Sequence, residues 1–188
     1  MNMLHSLQTK LTASFVVLIL VVSSLTFFYT YRETKSALKE LTQDELQALA
    51  AVAASQLSGA AADAMSALGE GDESLPAFVE LRARLRSIRA SHSDIKYVYT
   101  MRRTGDGVSF IVDADHGNKE DPGAAIGEKY EGSKGELLKG FSEPAVDGEF
   151  TTDKWGTFLS GYAPIRNTQG AVIGLIGIDM ASDRVIKK

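Results

Sequence analysis

The sequence predicts an α+β protein. A long N-terminal helix crosses a membrane and continues outside it, and an antiparallel sheet with flanking helices follows. Three observations carry this reading. Between Lys10 and Arg32 lie 21 consecutive uncharged residues. From Arg32 to about Leu68 good helix formers continue, with no proline and a single glycine, Gly59. After Ile95 the apolar period shortens and β-branched and aromatic residues take over. Strands arriving there as two hairpins require an antiparallel sheet, with helices packed against it.

Composition bounds the function classes. The 188 residues are 44% hydrophobic and 23% charged, which fits one folded domain with a further segment attached. There is no cysteine. Disulfides, thiolate nucleophiles, Cys-ligated zinc, iron–sulfur clusters and c-type haem are excluded. The formal net charge is -4, and residues 1–31 hold one lysine and no acid. The remainder is therefore acidic, which disfavours nucleic acid as a partner because that needs a basic face.

The apolar run LTASFVVLILVVSSLTFFYTY opens the chain after Lys10. At about 1.5 Å per residue it spans roughly 30 Å, the thickness of a bilayer core. Phe27, Phe28, Tyr29 and Tyr31 cluster at its far end, where aromatic rings favour the interface. A cleaved signal peptide has an apolar core of about 7–15 residues ending in small residues. This run is longer and ends in bulky rings, so it reads as an uncleaved anchor. The flanking charges do not fix its orientation. A ten-residue leader before a large acidic domain fits a cytoplasmic N-terminus, with residues after about 32 outside.

Beyond the membrane, Leu38, Leu41, Leu46, Leu49, Val52 and Ala53 recur at three- and four-residue spacings. The stretch from Ala48 to Ala67 is half alanine, so one side of this helix admits another backbone. That side fits packing on its own domain, a partner helix in a homodimer, or both. GEGDES (69–74) breaks the helix, with Ser74 as the expected N-cap and Pro76 in the first turn of the next. This second helix runs to about Ala90 on a stripe of Phe78, Leu81, Leu85 and Ile88. Arg82, Arg86 and Arg89 occupy another face. They read as a solvated row, or as a site for an anionic ligand or lipid head groups.

Ile95–Arg103 and Val108–Ala114 form the first hairpin, around Gly105-Asp106-Gly107. Residues 115–132 read as a polar loop, and 133–141 as a short helix. Trp155–Arg166 and Ala171–Ala181 form the second hairpin, around Asn167–Gly170.

The stretch from Lys96 to Val185 resembles a Cache domain, the PAS-like extracytoplasmic sensor module of bacterial chemoreceptors, sensor histidine kinases and diguanylate cyclases. The matching residues are the strand pair YVYTM…FIVDAD and the block TTDKWGTFLSGYAPIRNTQGAVIGLIGIDMASDRV. The resemblance implies a single Cache domain with a PAS-like sheet. The implied organisation is a cytoplasmic leader over 1–10 and a transmembrane helix over 11–31. A helical segment of the sensor domain follows over 32–91, then the sheet domain over 92–183. Residues 184–188 would open a connector to a second membrane helix, beyond which such receptors carry an output domain. The implied location is the bacterial inner membrane, with the main domain periplasmic.

The mechanism of such a module is binding, so the candidate residues are convergent aromatic and polar groups over the sheet. They are Tyr99, Phe110, Asp113, Trp155, Tyr162 and Asp179. Strand alternation puts Phe158, Ser160 and Tyr162 on one face of the third strand, with Trp155, Thr157 and Leu159 on the other. It also puts Phe110 and Asp113 on opposite faces, unless a bulge intervenes. Asp179 ends an apolar strand and needs a partner. It can meet a cationic ligand group, accept from Tyr162 or Arg102, or cap local backbone. The resemblance implies the first, since an Asp at the matching place contacts the ligand amine in Cache modules that bind amino acids. Ala145 stands where those modules carry an aromatic residue.

The loop DADHGNKED (113–121) offers hard and borderline metal ligands. However, Gly117 and Ala124 fall out of register with a calcium loop, so it reads as a solvated loop. His5 and His92 lack ligand partners in the sequence. Gly127–Lys134 departs from a phosphate-binding loop in the order of Ser133 and Lys134, and GAVIGLIG opens no helix. No Ser/His/Asp set or pair of scaffold carboxylates suggests catalysis, and no cofactor or metal is expected. The sequence therefore favours a membrane-anchored sensor with a small polar or zwitterionic ligand and a homodimer through the long helix. The alternative is a pilin-like or anchored assembly subunit, which also has a long apolar-first helix and an antiparallel head.

Overall fold

A computed structural model describes residues 7–105, 107–132 and 135–182. The chain divides into two compact units, 1–41 and 42–188. Helix α1, Leu7–Leu57, supplies the first unit and enters the second. Among the described residues it alone is long and apolar enough to cross a membrane. Its most apolar 18-residue window has a mean hydropathy of 2.4, and none of that window is buried. Apolar side chains are exposed all around it, from Leu11 to Tyr31. No protein core covers this apolar surface among the described residues.

The second unit is built on an antiparallel sheet. Its strands are β1 (Ile95–Thr104), β2 (Gly107–Asp113), β3 (Lys129–Tyr130), β4 (Ala145–Val146), β5 (Thr151–Asp153), β6 (Gly156–Arg166) and β7 (Val172–Ala181). Their order is β3-β2-β1-β7-β6-β4, with β5 also paired to β6. The two expected hairpins, β1–β2 and β6–β7, are joined by the antiparallel β1–β7 ladder at the centre. Both are present because β-branched and aromatic residues alternate along them. β3 lies where the sequence suggested loop, and β4 and β5 lie in 142–154, where it suggested no element. Two or three residues are too few to show a period, and only pairing to a neighbour identifies them.

The helices cover one face. Leu46, Ala50, Ala53 and Leu57 of α1 pack with Phe78, Leu81 and Leu85 of α3 (Pro76–Ala90) against Val98, Leu159, Ile176 and Ile178. The alanines of α1 are thus used, at least on this side, against its own sheet. The opposite face carries a second, aromatic cluster with Tyr99, Phe110 and Tyr162, closed by Leu137 of the four-residue helix α4 (Glu136–Lys139) and by Phe141.

Three local expectations are corrected. The helix expected to run to Leu68 stops at Leu57 and resumes as α2, Ala60–Ser66. The cause is Gly59, at φ 75, whose N–H donates to the Arg166 carbonyl over 2.8 Å instead of to its own helix. Ser74 lies in a 3-10 turn, and Leu75 takes the N-cap position with no side-chain cap. Pro76 at N1 makes the missing cap cheap, because one of the first-turn N–H groups is absent. His92 is not isolated: its Nε2 lies 3.1 Å from Oε1 of Glu45 on α1. Asp106 of the first turn, His5, Ser133, Lys134 and the connector at 184–188 lie outside the described residues, as do the first six residues of the leader.

Candidate ligand-binding site

A bulge builds the site. Tyr99 pairs with Asp113 and Thr100 with Val112, but Met101 pairs with Phe110, so Ile111 is an extra residue in β2. Ile111 and Val112 both join the helix-side core, while Phe110 faces away from it with Tyr99 and Met101. Plain alternation separates Phe110 from Asp113; the bulge returns both to the face that carries Tyr99.

β1 and β7 then aim their side chains together. Tyr97 lies opposite Asp179, and Tyr99 opposite Gly177. A Cβ on Gly177 would overlap the Tyr99 ring. Glycine there lets the ring lie across β7, where its hydroxyl donates to Asp179 Oδ1 over 3.0 Å. Asp179 also accepts from the Ser160 hydroxyl of β6. Its partners are thus Tyr99 and Ser160, and neither Tyr162 nor Arg102 bonds it. Arg102 donates instead to the Leu68 carbonyl. Burial pushes the Asp179 carboxyl up to about 7; the two hydroxyl donors oppose the rise, and the nearby charges of Asp153 and Asp147 add to it.

Two more tyrosine–aspartate pairs surround the same space. Tyr97 donates to Asp121 Oδ2 over 2.6 Å, and Tyr130 to Asp153 Oδ2 over 3.1 Å. Burial and these carboxylates raise both phenol pKa values. Trp155 lies in the tight turn between β5 and β6, before the β6 ladder begins, with its N–H held by Asp153 Oδ1 at 2.8 Å. It therefore escapes the alternation of β6. Its ring packs edge-on to Phe110 at 5.7 Å and stacks on Tyr130 at 6.2 Å.

Together these side chains enclose about 20 Å³, room for a single water, at the end of a cleft of about 360 Å³ that includes its open mouth. Tyr99, Phe110, Asp113, Trp155 and Asp179 border this space. Tyr162 does not. It is buried beside it, with its hydroxyl 3.5 Å from Asp147 Oδ2. Burial likewise pushes Asp147 up to about 6, against hydrogen bonds from Thr151, Ser160 and Tyr162. Asp113 borders the cavity, yet both its oxygens serve the backbone: Oδ1 accepts from the Asp115 N–H at 2.7 Å and Oδ2 from the Ala124 N–H at 3.0 Å. It clamps the two ends of the following loop.

The α3 arginines hold that loop from the other side, which corrects their reading as a solvated row. Arg82 donates to the His116 carbonyl over 3.0 Å, Arg86 to the Ala114 carbonyl over 2.7 Å, and Arg89 pairs with the buried Asp115 carboxylate. Among the described residues no three His, Cys, Asp or Glu side chains gather into a metal-holding group.

With this geometry in view, the chain was compared with known proteins. No protein-family model matches it, and no curated protein is significantly similar in sequence. Solved structures do match. The sensor domain of DcuS from E. coli superposes with a TM-score of 0.54 at 16% identity, over 82% of this chain and 96% of that one. The chain shares the fold of that domain. An extracellular ligand binding receptor from Desulfohalobium retbaense DSM5692 gives a TM-score of 0.52 at 19% identity, over 80% of this chain and 25% of the receptor. The ligand-binding domain of the Pseudomonas aeruginosa PAO1 amino acid chemoreceptor PctC, in complex with GABA, is more distant, with a TM-score of 0.44 at 17% identity over 80% and 56% of the two chains.

Sequence reasoning missed Tyr97, Asp121, Tyr130 and Asp153 as cavity neighbours. Tyr97 was within reach, being two residues from Tyr99 on the same face. Asp121, Tyr130 and Asp153 lie in or beside segments without readable period, and nothing local announces their phenol–carboxylate pairing.

Proposed function

We propose that this chain is the ligand-sensing part of a membrane-anchored receptor. Residues 11–31 form the anchor, and residues after about 32 lie on the periplasmic side. A small polar molecule binds over β1, β2 and β7, and the long helix, paired with that of a second copy, passes a displacement to the membrane. One observation carries the reading: an aromatic cavity with convergent carboxylates, on the face of a sensor-domain sheet opposite to α1. Small-molecule sites have this form, apolar walls with a few polar groups that fix orientation.

The same unit offers a route from cavity to helix. Asp179 meets Ser160, which precedes Gly161 on β6; Tyr162, next along, reaches Asp147. The Asp147 carbonyl accepts from Gln43 Nε2 of α1 over 2.7 Å, and the Pro144 carbonyl from Gln47 Nε2 over 2.8 Å. A ligand that binds one setting of this network more tightly than another shifts its population, and α1 with it.

The test is a thermal-shift screen of metabolites against the detergent-solubilised full chain, repeated on Asp179→Asn. A stabilising compound whose affinity drops at least about tenfold in the variant supports the site, since a hydrogen bond to a charged group contributes about that much. Equal affinity with a lowered melting temperature reduces Asp179 to a structural role.

A further inference from the structure

We propose that the ligand of this cavity is a small organic cation without a carboxylate, an ammonium or methylated ammonium ion, held by Asp121, Asp153 and Asp179 against the rings of Tyr97, Tyr99 and Trp155. The proposal rests on the sensor reading above and narrows it to a chemical class.

The charge around the cavity is of one sign. Among the described residues, Asp113, Asp121, Asp153 and Asp179 border it, and no Lys, Arg or His does. A ligand carboxylate placed there would face carboxylates with no base to receive it. The lysines nearest the rim are engaged. Lys154 Nζ lies 2.8 Å from Glu128, and Lys96 Nζ lies 3.8 Å from Asp121. Both ammonium groups also sit over rings of the rim, Lys154 at 4.2 Å from the Trp155 centroid and Lys96 at 4.9 Å from that of Tyr97. The rim already shows the contact that a ligand cation would make inside, a positive charge on the face of an electron-rich ring.

Asp179 supplies an independent reason. It is 6% exposed, and its two named donors are neutral hydroxyls. An ionised carboxylate in that position is costly without a positive charge beside it. A cation beside it offsets the cost; an anion or a second carboxylate raises it. Aromatic faces serve the same end, since they accept an ammonium or its methyl groups, while the hydroxyls of Tyr97, Tyr99 and Tyr130 are already donated to Asp121, Asp179 and Asp153. Entry needs the Tyr97–Asp121 and Tyr130–Asp153 hydrogen bonds at its edge to open, because the enclosed space has room for only about one water.

Matched probes test the class with the full chain in detergent. Choline is set against trimethylglycine, and 1,4-diaminobutane against 4-aminobutanoate, with succinate as the anionic probe. Each pair keeps one cationic end and exchanges the other end for a carboxylate. The expected result is saturable binding and a raised melting temperature with at least one cation of the two pairs. Its carboxylate counterpart should bind at least about tenfold more weakly. Asp121→Asn and Asp153→Asn, both at the edge of the cavity and nearly isosteric, should each weaken the cation about tenfold. If a carboxylate counterpart or succinate binds as well as the cation, the proposal falls while the sensor reading stands. If neither substitution changes cation affinity, the cation binds elsewhere and the proposal falls. If no probe of either kind stabilises the chain, the small-molecule sensor reading falls with it.

Discussion

The hydroxyl of Tyr99 reaches Asp179 across β7 because the residue facing Tyr99 in the ladder is Gly177. A side chain at 177 would stand where the Tyr99 ring lies. The glycine and the phenol–carboxylate bond are one arrangement, and a substitution at either position tests the other. Gly177→Ala should destabilise the chain by about 1–3 kcal/mol, the usual cost of overpacking. The closest overlap is with two ring carbons, and the hydroxyl oxygen at 2.8 Å adds less, so Tyr99→Phe should relieve it only in small part, whereas Tyr99→Ala should relieve it. The readout is the melting temperature of the two double variants. Equal relief by Phe and Ala would mean that the hydroxyl, and not the ring, is what Gly177 accommodates.

The pH dependence follows from Asp179 and Asp147. Both titrate higher in the folded chain than the ordinary value of 3.8, at about 7 and about 6. Between pH 4 and those values the folded state holds protons that the unfolded state has lost. Stability therefore falls as pH rises, by at most about 1.4 kcal/mol per unit for each group. The unliganded chain should melt at a higher temperature at pH 5 than at pH 7.5, with little further change above. Asp179→Asn should reduce the slope most between about pH 6.5 and 7.5, where Asp147, at about 6, is largely ionised. Choline keeps its charge throughout, so its affinity should move the other way, rising with pH through about 7 as Asp179 ionises. A melting temperature that rises from pH 5 to 7.5 would contradict the assignment.

A homodimer through α1 makes a directional prediction. Ala50, Ala53 and Ala54 are buried against the sheet, whereas Ala48, Val52 and Ser55 are exposed on the other side. Single cysteines between Ala48 and Ala64 should therefore crosslink in membranes at 48, 52 and 55 and fail at 50, 53 and 54. Crosslinking nowhere along the stretch would remove the dimer, and a pattern without helical period would remove this geometry.

Some of this was legible in the sequence and some was not, for physical reasons. Long periodic elements announce themselves: α1, α3, β1, β2, β6 and β7 each extend over enough residues for alternation or helical spacing to show. Their end-points depend on tertiary partners. Nothing local says that the Gly59 N–H will prefer the Arg166 carbonyl. The cavity's floor was readable because Tyr99 and Asp179 lie on regular strands. Its wall was not, because Phe110 reaches it through a bulge and Trp155 through a turn. Arg89 shows the same limit. A charged row on a helix looks solvated until a buried acid such as Asp115 is brought to it from 26 residues away.

Gly161 is where cavity and helix meet back to back. Its neighbours Ser160 and Tyr162 face the aromatic side of β6, while its own Cα faces α1, where an added Cβ would lie 2.8 Å from Leu46 Cγ and 2.9 Å from the Leu46 carbonyl oxygen. The side chain could turn away; the backbone oxygen cannot move without the helix. Gly161→Ala should therefore push α1 off the sheet and cost about 1–3 kcal/mol. Leu46→Ala, at a fully buried position, should cost about 2–5 kcal/mol and relieve only part of the Gly161→Ala effect, because the carbonyl remains. In the sensor reading, this displacement imitates on the helix side what a ligand does from the cavity side. Ligand affinity should then change far less in Gly161→Ala than in Asp179→Asn, while the crosslinking of cysteines at 48 and 52 should shift measurably. An affinity loss as large as that of Asp179→Asn, with crosslinking unchanged, would place the influence of Gly161 in the cavity and end its role as a coupling point.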